Sequence, residues 1–129
     1  MSKRDSFADT FATLRRVLES NAKGLVVHVD RPGDYQVCAS DMTDRAGNPL
    51  FVAAVQIKKN YVSFHLIPVY TCPGLVKDLS PRLRQRMQGK SCFNFTTIDE
   101  TLLAELEDLT AKGIPGFRAV AEAAAATRR

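Results

Sequence analysis

His28, His65, Cys38, Cys72 and Cys92 are the side chains of this sequence best suited to hold a soft metal ion or to pair as nucleophile and base. No CxxC pair and no close pair of histidines brings them together along the chain. Cys92 lies two residues after Lys90, and a nearby cation favours the thiolate. No base with a positioning partner accompanies it, so no catalytic residue is assigned. A second group is cationic. Arg82, Arg84, Arg86 and Lys90 fall in the stretch 77–90 with Asp78 as the one acid. Such a set can grip phosphates, and Phe93 and Phe95, on one face of the next segment, are candidate platforms for single-stranded bases. A plainer reading has the arginines solvate a helix and neutralise Asp99, Glu100, Glu105, Glu107 and Asp108 just downstream, with the phenylalanines in the core. The plainer reading is preferred, and nucleic acid is not the expected partner.

Two short matches carry no chemistry. Gly89-Lys90-Ser91 ends like a phosphate-binding loop, yet Arg84 stands where the first glycine belongs and a helix precedes it where a strand should. Asn94-Phe95-Thr96 matches a glycosylation acceptor. Residues 1–10 lack the apolar stretch of a signal peptide, no apolar run approaches the roughly 20 residues of a membrane span, and three cysteines at wide spacing suggest no disulfide framework. A cytoplasmic protein without membrane contact, cofactor or metal is expected.

The elements that must position these residues follow from periodicity. Phe7, Phe11, Leu14, Val17 and Leu18 recur at helical spacing, with Asp5 or Ser6 as cap and Gly24 as the closing glycine. Residues 25–29 and 35–39 read as a hairpin through Pro32-Gly33; residues 50–57 and 61–67 read as a second hairpin, after a polar loop over 40–49. Ser80-Pro81 caps a short helix to about Met87, closed by Gly89. Residues 91–95 form a fifth short strand. Thr97-Ile98-Asp99-Glu100 has the spacing of a capping box, and Leu102, Leu103, Leu106 and Leu109 make one stripe up to Gly113. The Ala-rich end, 118–129, has no stripe to hold it and reads as either helical or frayed.

Side-chain parity then sorts the strands into two faces. Pairing Val29 with Tyr35 sets Val27 opposite Val37, and a turn at Lys59-Asn60 sets Ile57, Val55 and Ala53 opposite Val62, Phe64 and Leu66. These form the core face. His28, Gln36, Cys38, Ala54, Gln56, Ser63 and His65 fall on the other. Across an up-and-down sheet the two histidines are three strand spacings, about 14 Å, apart, too far for one ion.

Residues 59–113 resemble the YdhG-like family of domains of unknown function, through Tyr61-Val62-Ser63-Phe64-His65-Leu66, Leu79-Ser80-Pro81 and Gly89-Lys90-Ser91-Cys92-Phe93-Asn94-Phe95. Gly89, Lys90, Cys92, Phe95, Leu103 and Leu106 sit where the family pattern wants them. Residues 24–48 depart from it, with a Pro-Gly hairpin and a long polar loop in place of a Met-Pro turn. The resemblance implies a small α/β domain, some of whose relatives have been proposed as frataxin-like iron-handling proteins, and it brings no catalytic residues.

The expectation is therefore one α+β domain over 1–129. An antiparallel sheet of four or five strands carries its helices mainly on one face, with Val27, Val37, Val55 and Phe64 beneath them. It is read as a non-catalytic binding or structural module rather than an enzyme. His28, Cys38, Gln56, Ser63 and His65 mark a ligand site on the open face, or that face joins two copies in a homodimer. The alternatives are a phosphate or nucleic-acid binder through Arg82, Arg84, Arg86 and Lys90, and a frataxin-like metal-handling protein.

Overall fold

Phe7, Phe11, Leu14, Val17 and Leu18 form the buried stripe of the first helix, α1 (Lys3–Glu19). The computed structural model describes residues 3–21, 24–44, 46–72, 74–89 and 91–127. Helix α1 begins before Asp5 and Ser6, so neither caps it. It ends where the Asn21 side chain donates to the Val17 carbonyl at 2.8 Å, satisfying one of the last orphan acceptors. Gly24, at φ +79°, opens the first strand instead of closing the helix.

Among the described residues six antiparallel strands follow: β1 (Leu25–Arg31), β2 (Asp34–Thr43), β3 (Pro49–Ile57), β4 (Val62–Leu66), β5 (Met87–Gln88) and β6 (Cys92–Phe95). Their order is β1-β2-β3-β4-β6-β5. The fold class is α+β as expected, with six strands where four or five were read from sequence. The extra strand is β5. The helix capped by Ser80, α4 (Pro81–Arg84), stops short of Met87 because the chain is captured by β6: the Asn94 N–H donates to the Arg86 carbonyl at 2.7 Å, and Gly89 at φ +75° makes the turn between them. The polar loop is also shorter than expected. Strand β2 runs on to Thr43, and Asp44 closes the remainder by accepting from Ala46 and Asn48 N–H groups at 2.9 and 3.0 Å.

Register in the second hairpin matches the parity argument, with Ala53, Val55 and Ile57 opposite Leu66, Phe64 and Val62. The first hairpin differs. Val27 does face Val37, but a bulge at His28 sets Gln36, and not Tyr35, opposite Val29. Val27 is 53% exposed and does not join the core, because β1 is the outermost strand and α1 packs on β3 and β4. A second bulge lies in β3. Val37 pairs with Ala53 and the next residue, Cys38, pairs with Phe51, so Val52 is the extra residue. Val52 enters the core beside Ala53, and Phe51 turns to the opposite face.

Two short helices, α2 (Ile67–Thr71) and α3 (Gly74–Lys77), follow β4, with Pro73 outside the described residues. The closing helix α5 (Glu100–Thr127) is one element through Gly113 and Pro115 and does not end at Gly113; of the two readings of the Ala-rich end, the helical one holds as far as Thr127. Packing explains the difference: Ile114 and Phe117 continue the buried stripe of Leu102, Leu106 and Leu109. Its cap is Asp99, whose Oδ1 accepts from the Leu102 N–H at 2.8 Å, and not Thr97. Gly113 permits a close approach to α2, since a Cβ there would lie 3.0 Å from the Pro68 Cβ. Helices α1, α2 and α5 pack together on one side, and α3 and α4 rest against α5. Among the described residues no helix is long and apolar enough to cross a membrane.

Candidate functional site

The helix-free face of the sheet carries two rows of side chains, each in register across the strands. One row runs Asp34, Gln56, Ser63, Asn94; the other runs Gln36, Ala54, His65, Cys92, Gln88. Ala54 and Ser63 are the low points, buried between longer neighbours. Asp34 anchors one end by accepting from the Gln36 and Gln56 amides at 3.0 and 3.1 Å. Burial would raise the Asp34 pKa, but those two amides, with Arg31 beside it, hold the carboxyl below its ordinary 3.8.

His65 occupies the middle of the second row. Its Nε2 shares a hydrogen bond of 2.8 Å with the Ser91 hydroxyl, and its ring meets Phe51 edge-on at 5.3 Å between centroids. Burial, and then repulsion from Lys58, holds its pKa below 6.5, so the imidazole is neutral at neutral pH. Cys38 lies on this face opposite Phe51, and burial pushes its thiol pKa up. Four of the five residues predicted for the site, Cys38, Gln56, Ser63 and His65, thus share one surface. His28 does not belong with them. It stands exposed in the bulge of the edge strand, three strand spacings or about 14 Å from β4. Phe51, Ser91 and Asn94 join the face without having been predicted; parity marks Asn94, whereas the bulge that turns Phe51 outward has no sequence signature.

The cationic set is dispersed. Arg84 donates through one terminal nitrogen to the Val76 and Lys77 carbonyls at 2.8 and 3.1 Å, which ties it to the end of α3. Arg82 pairs with Asp99. Lys90 lies outside the described residues. Phe93 and Phe95 are fully buried, as the plainer reading has them, and offer no stacking platform to single-stranded bases. Arg82 and Arg86 do meet, lining a cavity of about 200 Å³ with Gln85, Thr96, Thr97 and Asp99. A larger groove of about 690 Å³ separates the end of α1 from α5, but Arg118 at its rim is engaged by Asp41 at 2.8 Å and by the Gly24 carbonyl at 3.3 Å.

Among the described residues no group of three or more His, Cys, Asp or Glu side chains is placed to hold a metal ion. Comparison with protein-family models, with curated proteins and with solved structures finds no match to this chain.

Proposed function

We propose that this protein is a non-catalytic binding module that takes a neutral, hydrogen-bonding ligand on the open face of its sheet. One observation carries the reading: the row Asp34–Gln56–Ser63–Asn94 lines up amide and hydroxyl groups across neighbouring strands on the face away from the helices. The groups on offer are amides, hydroxyls and a neutral imidazole, with Phe51 as an apolar edge and one carboxylate already engaged by Gln36 and Gln56. That chemistry suits a ligand rich in hydroxyl or amide groups, such as a sugar or an extended peptide, and not a strongly charged one.

Ser91 and His65 have the spacing of a nucleophile and its base. Binding is favoured over catalysis because the other nitrogen of His65 has no hydrogen-bonding partner among the described residues to fix the tautomer. Three free cysteines suit a reducing intracellular compartment. Titrating isotope-labelled protein with neutral oligosaccharides and peptides, with amide resonances as the readout, tests the proposal. Shifts confined to residues 34–36, 54–56, 63–65 and 92–94, and abolished in Gln56→Leu, are expected. Resonances on this face that ignore every ligand, yet change on dilution, would replace the ligand with a second copy of the chain.

A further inference from the structure

The cavity between the end of α4 and the start of α5 has the composition of an oxyanion site. Arg82, Gln85 and Arg86 stand on one side, and Thr96 and Thr97 on the other. Asp99 also lines it, but both of its oxygens are occupied: Oδ1 accepts from the Leu102 N–H and Oδ2 from Arg82. Arg82 gives one terminal nitrogen to Asp99 and keeps the remaining N–H groups of its guanidinium. Arg86 has no ion-pair partner among the described residues. Two guanidinium groups against one carboxylate leave the lining with an excess positive charge, surrounded by hydroxyl and amide donors.

We propose that this cavity binds the phosphate group of a small phosphomonoester, with Arg86 as the principal charge and Thr96 and Thr97 as hydroxyl donors. Donors converge from two sides, which matches the several oxygens of a tetrahedral phosphate better than the two of a planar carboxylate. At about 200 Å³ the cavity is smaller than the usual pocket for a whole cofactor. It therefore fits a terminal phosphate, with the rest of the ligand outside. The burial of Phe93 and Phe95 argues against a nucleic-acid strand as the source of that phosphate. This site is separate from the open sheet face and does not depend on it.

Calorimetric titration with inorganic phosphate, O-phosphoserine and a short single-stranded DNA, at low and at moderate salt, tests the assignment. The wild-type protein should bind phosphate and O-phosphoserine, with DNA no tighter per phosphate. Arg86→Ala should weaken binding by about tenfold or more. Arg86 is exposed and forms no side-chain bond among the described residues, so this variant should melt as the parent does. Arg16→Ala, which removes an exposed arginine on α1, should bind as the parent does. The proposal is overturned by an absence of binding at millimolar phosphate in low salt, or by equal losses in Arg86→Ala and Arg16→Ala. DNA binding that far exceeds O-phosphoserine binding would also overturn it, in favour of a nucleic-acid surface. None of these outcomes touches the open sheet face, which His65→Ala alters while leaving phosphate binding intact.

Discussion

Glu105 on α5 holds Ser80 through both carboxylate oxygens: Oε2 accepts from the Ser80 N–H at 2.7 Å and Oε1 from its hydroxyl at 2.6 Å. The same hydroxyl accepts from the Leu83 N–H at 3.2 Å, so one serine caps α4 and fastens it to α5. Glu105→Ala should lower stability by about 1–3 kcal/mol, the scale of charge-assisted hydrogen bonds lost at a part-buried site. Glu105→Gln keeps an acceptor and should lose less. Urea denaturation of the two variants measures the difference, and equal stability in Glu105→Ala and the parent would show the contact to be idle.

The bulge in β3 makes a prediction that simple alternation reverses. With Val52 in the core and Phe51 on the open face, Val52→Ser should cost about 2–4 kcal/mol, from a lost apolar contact and a buried hydroxyl. Phe51→Ser, although it removes the larger side chain, should cost only about 1 kcal/mol, mainly the ring contact with His65. Thermal melts that rank the pair the other way would place Phe51 inside and abolish the bulge.

At Gly113, helix propensity and packing oppose each other. Alanine in a helix interior is favoured over glycine by roughly 0.5–1 kcal/mol. Here the added methyl would stand 3.0 Å from the Pro68 Cβ and 3.5 Å from the Leu75 Cδ1. Overpacking of that kind costs about 1–3 kcal/mol. Gly113→Ala should therefore be destabilised on balance, and a higher melting temperature would mean that α2 gives way.

His65 sets a pH dependence with a definite sign. Burial and Lys58 hold its folded pKa below 6.5, so the unfolded chain takes up its proton first as pH falls. The contribution to stability is fully present above pH 6.5, declines as pH drops toward the folded pKa, and is constant below it. His65→Asn should flatten the stability profile in that window. The further loss below 3.8, where Asp34 must be protonated, should remain. A parent and a variant with identical slopes just below pH 6.5 would show His65 to titrate as a free histidine does.

Alternation was enough to place Ala53, Val55, Ile57, Val62, Phe64 and Leu66 on one face and Gln56, Ser63 and His65 on the other, because that hairpin is regular. Wherever the backbone inserts a residue, parity fails: at His28, which left the predicted site, and at Val52, which brought Phe51 into it. Ser80-Pro81 was readable as a helix start because cap chemistry is local. The end of that helix was not, since a hydrogen bond from Asn94, eight residues beyond Arg86, decides it. Likewise the spread of the arginines follows from what surrounds them in space, a helix end for Arg84 and a carboxylate for Arg82.

The helical layer is assembled from opposite ends of the chain. Thr10 on α1 donates to the Thr96 carbonyl just ahead of α5, and Arg118 near the far end of α5 reaches the Gly24 carbonyl at the start of β1. During synthesis, then, α1 and the six strands emerge from the ribosome ahead of α5. Val17, Leu83, Phe93 and Phe95 belong to the same core cluster as Leu106 and Phe117. Until residues 100–117 have emerged, that cluster is open on one side. A nascent chain paused at that point presents a partly covered apolar layer, the kind of surface on which chaperones act and on which aggregation begins.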